Sequence, residues 1–169
     1  MRPTENEYAS FYKPYIDEVP DGDIIVILTE QGKEARKFYQ SIPEAIGAHA
    51  YQPGKWTIKE VLGHMCDAER VMAYRAMSIA RNEKTPLPGF DENEYMNHSN
   101  FNRRTIQDIS DEMLYIRASN IALFGTFDEE ILNRTGNANG NNVSVRGLLY
   151  IISGHELHHI KVLRERYLR

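Results

Sequence analysis

The chain has almost no cysteine. A single Cys66 in 169 residues cannot close an internal disulfide, so nothing in the sequence calls for an oxidising compartment. It also lacks an excess of positive charge: 20 Lys and Arg stand against 24 Asp and Glu, a formal net charge of −4. A dedicated nucleic-acid binder needs the opposite balance to neutralise phosphates, so no nucleic-acid partner is expected. Long apolar runs are missing too. The densest, Ile24 to Leu28, is far short of the roughly 20 residues that span a bilayer, and the opening MRPTENEYAS has no stretch of signal-peptide type. These absences predict a cytoplasmic protein with no membrane partner. No internal repeat or low-complexity tract divides the chain, and a hydrophobic share of 41% over this length predicts one domain, residues 1–169.

What is present is helical periodicity. The spacing of Ile24, Leu28, Ala35, Phe38 and Ile42 predicts a helix from an N-cap at Asp23 to about Ile42, where Pro43 stops it. A second begins at Thr57, whose pairing with Glu60 has capping-box spacing, and runs to about Arg81, before Pro86 and Pro88. A third runs from near Thr105 to about Phe124 through Ile109, Met113, Ile116 and Leu123. The fourth covers Ser144 to Tyr167, after GNANGNN, whose composition is that of a loop. No segment alternates apolar and polar residues over a strand's length between turn signals. The expected fold class is therefore all-α, a four-helix bundle. The connection from Asn82 to Arg104 is long enough to cross the length of a bundle, which permits an up-down-down-up order.

Six histidines occur, at 49, 64, 98, 155, 158 and 159, and they differ in meaning. On the fourth helix Val145, Leu148, Ile152, Val162 and Leu163 draw the apolar face, and His155 and His159 fall within it. An i, i+4 pair stacks on one side of a helix, which lets two imidazoles reach one ion. His64 flanks the second helix's buried face of Val61, Met65, Ala68 and Met72. An antiparallel pairing of these helices brings it nearly level with the pair. Any one of the three alone reads as an ordinary core histidine with a polar partner. Together they read as ligands for one divalent transition metal, with positions left open for water or substrate.

Residues 155 to 159, HELHH, also match the HExxH pattern of zinc proteases, with Glu156 as general base. That reading lacks its context. Only ten residues follow His159, without the HxxGxxH extension, and no sheet is expected. Glu156 is left either orienting a ligand imidazole or on a solvated helix edge. Asp67, three residues after His64, has the same two readings. Arg75 shares the His64 stripe but lies about 16 Å along the axis, out of reach of a metal, where it meets an anion or pairs with an acid. Trp56 either covers the end of the site or staples the helix start. His158 extends the site or faces solvent, with solvent favoured, while His49 and His98 fall in loops. Cys66 points away from His64.

The stretches KWTIKEVLGHMCDAER at 55–70, PLPGFDENEY at 86–95 and VSVRGLLYIISGHELHHIKVLRERY at 143–167 give the chain a resemblance over nearly its whole length. It resembles the DinB/YfiT-like superfamily of metal-dependent enzymes. The resemblance implies an up-down-down-up bundle and a metal, commonly zinc or nickel, held by His64, His155 and His159. It further implies a small-molecule substrate, with a low-molecular-weight thiol as cosubstrate in some relatives, and homodimers in many. Three functions follow as expectations: thiol transfer to an electrophile first, metal-dependent hydrolysis second, and non-catalytic binding of a metal or small ligand third.

Overall fold

Each expected helix begins where a side chain caps it. In the computed structural model, which describes residues 1–168, helix α2 spans Ile24–Ser41, with the Asp23 carboxylate accepting from the amides of Ile25 and Val26 at 2.8 and 3.2 Å. It follows a short α1, Lys13–Glu18. Helix α3, Ile58–Ala80, starts with the full Thr57/Glu60 capping box. A short α4, Glu92–Asn97, sits in the long connection. Helix α5 spans Ile106–Phe124 under a Thr105 cap, α6 is Glu129–Leu132, and α7, Val145–Val162, starts from a Ser144 cap. The last turn of α7 widens into a π-helical segment, Leu163–Tyr167.

The four long helices run up, down, down, up. Tyr39 at the end of α2 meets Met65 near the start of α3, so these two are antiparallel. The Cys66 thiol faces the Ile109 carbonyl and Glu69 meets Arg117, so α3 and α5 run parallel. Ile79 at the end of α3 lies against Gly136, just ahead of α7, so α3 and α7 are antiparallel. Two apolar clusters fill the interior. One is built around Leu28, Ala76, Ile79 and Leu149; the other around Tyr39, Leu62, Met65, Ile109 and Leu163. No helix among the described residues is long and apolar enough to cross a membrane.

Two features depart from the sequence expectation. GNANGNN is not a plain loop: Thr135–Ala138 (β1) and Asn141–Ser144 (β2) form an antiparallel hairpin. Its turn is Asn139-Gly140, at φ of 52° and 75°, the left-handed pair that a two-residue hairpin turn requires. Leu87 adds backbone bonds to Asn137 and Asn139, which anchors the long connection to the hairpin. The second departure is the N-terminus. Residues before Asp23 carry no strong periodicity, yet they pack along α7, where two glycines admit their backbone. A Cβ at Gly147 would lie 2.6 Å from the Glu7 carbonyl oxygen, and one at Gly154 would lie 2.1 Å from that of Tyr15.

Candidate metal centre

The antiparallel register of α3 and α7 brings His64 level with His155 and His159. Their Nε2 atoms converge: His64 lies 3.0 Å and His159 3.1 Å from His155 Nε2. Hydrogen bonding among the three cannot account for this. A neutral imidazole has one N–H and one in-plane lone pair, so a single shared Nε2 cannot serve two neighbours well. A tetrahedral cation with nitrogens at about 2.05 Å separates them by about 3.3 Å, a few tenths more than is seen here. The donor set and its spacing therefore fit one divalent transition metal.

Electrostatics keeps these donors in the form a metal needs. Burial brings the His64 pKa down to about 4 and that of His159 to about 3, and for His159 the neighbouring imidazoles add to the shift. His155 is held well below the usual histidine range by burial and by the other three histidines of the cluster, His158 included. Neutral imidazoles present lone pairs; protonated ones would not.

Aromatic rings frame the trio. Trp56 lies 4.8 Å from the His64 ring, and its carbonyl accepts a 2.8 Å bond from the Tyr167 hydroxyl in the π-helical segment. Trp56 thus walls the site. The Tyr15 ring meets His155 edge-on at 5.7 Å and His158 at 5.0 Å. Beside His158 and His159 opens a cavity of about 350 Å³, whose lining includes Tyr51, Lys55, Trp56, Asn93, Arg166 and Tyr167. That volume suits a small molecule. His158, for which a solvent-facing role was expected, is part of this wall.

The carboxylates behave otherwise than expected. Glu156 is neither on a solvated edge nor at the imidazoles. It is buried in the bundle interior, accepting from the Tyr39 hydroxyl at 2.8 Å, Gln31 Nε2 at 2.7 Å and Arg117 Nη2 at 3.0 Å. Arg117 also forks onto Glu69 at 2.8 and 2.7 Å. The protease reading of HELHH fails on this geometry, since its base points away from the metal ligands it should serve. Asp67 opens instead toward Arg104, His98 and Phe101, where burial raises its carboxyl pKa. Neither carboxylate bonds to any of the three imidazoles, and His159 Nδ1 is buried without a protein partner among the described residues.

Arg75 is buried but pairs with no acid among the described residues. Its Nη2 donates to the Pro88 carbonyl at 2.7 Å and its guanidinium lies 5.9 Å from the Phe90 ring, so it pins the connection that carries Asn93 to the cavity. Cys66 is sealed in the core and burial pushes its thiol pKa up, which removes it as a nucleophile, in keeping with its expected direction. His98 is exposed, 3.8 Å from Glu94, and His49 lies 6.3 Å from Tyr167.

Sequence reasoning missed Tyr15, Asn93 and the Arg117–Glu69–Glu156 network. Gly154 was the available signal for Tyr15: a glycine inside a helix often marks a close backbone approach.

The comparisons with known proteins agree with this architecture. YfiT from Bacillus subtilis, described as a probable metal-dependent hydrolase with an unusual four-helix bundle topology, superposes with a TM-score of 0.74 at 16% identity, covering 100% of this chain and 93% of that one. The mycothiol-dependent maleylpyruvate isomerase superposes with a TM-score of 0.69 at 14% identity; 86% of this chain is covered, but it spans only 61% of that protein. At these identities the likeness is one of fold. No curated protein matches in sequence. The DinB superfamily profile matches residues 27–163, which takes in α3, α5, α7, most of α2 and the three histidines, and the chain belongs to that superfamily.

Proposed function

We propose that the protein is a metal-dependent enzyme in which His64, His155 and His159 hold one divalent ion, zinc or nickel, and that it transfers a low-molecular-weight thiol to an electrophilic substrate. The observation that carries the metal is the convergence of three imidazoles, with His64 and His159 Nε2 3.0 and 3.1 Å from His155 Nε2 and all three ligand atoms within 4.8 Å of one another, at the wall of a small-molecule cavity. When bound, such an ion lowers the pKa of a thiol or water that ligates it and polarises an electrophile. The chain's own contribution is placement. Trp56 shields the His64 side from water, Tyr15 restrains the His155 ring, and the cavity beside His159 receives the substrate. His158 lines the same cavity beside His159. The thiol is supported by the likeness to a mycothiol-dependent isomerase, and hydrolysis, the second reading, by the likeness to YfiT.

A Co²⁺-substituted sample separates the two. Thiol binding gives a sulfur-to-metal charge-transfer band with proton release, lost in His64→Ala and kept in Cys66→Ala. If no thiol binds, yet an ester or amide is turned over only when metal is present, transfer is excluded and hydrolysis takes its place.

A further inference from the structure

The cavity beside the histidines has an uneven charge. In a chain of net charge −4, its lining among the described residues holds Lys55 and Arg166 and no Asp or Glu. Neither cation pairs with a carboxylate among the described residues. Arg166 is nonetheless held in place: its Nη1 lies 3.3 Å from the Tyr51 hydroxyl, to which it donates, and its guanidinium stands 5.5 Å from that ring. Tyr51 in turn packs edge-on against Tyr167 at 4.9 Å. Arg166 follows His159 by seven residues, about two turns through the end of α7 and the π-helical segment, so its backbone is displaced along the axis from the metal end. Trp56, against His64, and Tyr51 and Tyr167, beside Arg166, supply the aromatic part of the wall.

We infer that the substrate of this site is an anion: a small molecule with an apolar or aromatic middle and a carboxylate, sulfonate or phosphate at the end away from its reacting atom. Lys55 and Arg166 receive the anionic group while the aromatic wall covers the middle. A guanidinium held against a tyrosine loses less freedom on binding than a free one, and presents a planar fork to an oxyanion. This specificity rests on the metal-site reading above only for which end reacts; recognition of the anion does not need the metal.

Trp56 is the only tryptophan and lies in the cavity wall, so its fluorescence reports occupancy directly. The probes are phenylpropanesulfonate and its neutral counterpart phenylpropanol; a sulfonate is a poor ligand for zinc, so its binding reads the cations. Both are titrated into zinc-loaded and chelator-treated protein. The sulfonate should bind about 5- to 10-fold tighter in both forms, the advantage shrinking with added salt. In Lys55→Gln/Arg166→Gln the advantage should vanish while the zinc content is unchanged. Equal affinity for the two probes, or a sulfonate preference that survives in the double variant, overturns the inference. Zinc content is measured on the same samples, so a protein that prefers the sulfonate but takes up no metal would sink the metalloenzyme reading and leave this one standing.

Discussion

Acid should unfold the metal-free protein through its histidine trio before its carboxylates titrate. An unfolded imidazole titrates near 6.5, whereas burial sets His64 at about 4 and His159 at about 3. With the folded pKa depressed, their contribution to stability is fully present above pH 6.5 and is lost as pH falls toward those lower values. At pH 5 the unfolded side chains are roughly 97% protonated and the folded ones about 10% or less, which removes about 2 kcal/mol per histidine relative to pH 8. His155 moves the same way, while Asp67, whose pKa is raised, opposes weakly. A loss of about 4 kcal/mol from His64 and His159 alone is a large part of the 5–15 kcal/mol typical of a domain. The assay is urea unfolding of chelator-treated protein at pH 8 and pH 5, for the wild type and for His64→Gln/His155→Gln/His159→Gln. The wild type should lose stability steeply and the triple variant should lose little. Equal pH dependence in the two proteins would refute the placement of neutral imidazoles in the core.

Three further outcomes follow from particular contacts. Gly154→Ala sets a methyl group against the Tyr15 carbonyl, so it should cost about 1–3 kcal/mol in urea unfolding and loosen Tyr15 from His155; a neutral effect would mean that α1 is not seated on α7. Arg117→Ala leaves Glu69 and Glu156 buried without their cation and should cost about 3–5 kcal/mol, whereas a loss under 1 kcal/mol would show that the network is solvated. Glu156→Gln should keep its full metal content and thiol binding in the folded fraction, because the carboxylate faces Arg117 and Tyr39; loss of metal in well-folded protein would return it to the site.

The parts of the fold that were legible in the sequence are those set by local chemistry. Thr57 with Glu60, Asp23, Thr105 and Ser144 each mark a helix start by their own hydrogen bonds, and the i, i+4 spacing of His155 and His159 fixes a shared face whatever packs on it. The direction of Glu156 was less legible, because it depends on what surrounds α7. That helix is covered by α1, α3 and α2, and the consecutive burial of Leu148 to Ile152 shows that its middle has no solvent edge. The run LLYII, apolar on every side, was the clue, since a helix apolar all round is a buried one. The hairpin was hidden for another reason. Thr135 to Ser144 has little apolar alternation, and only the Asn139-Gly140 dipeptide betrays it. Tyr15 could not be found from periodicity, because its place comes from backbone packing on a glycine.

The central claim is that three imidazoles jointly hold one metal. Zinc K-edge X-ray absorption on untagged protein loaded with one equivalent of zinc tests it most directly. The account predicts three imidazole nitrogens at about 2.0 Å with one further light ligand, and one fewer imidazole in His159→Ala with its helical circular dichroism retained. Fewer than three imidazoles in the wild type, a sulfur ligand from Cys66, or no stoichiometric uptake of zinc would contradict it.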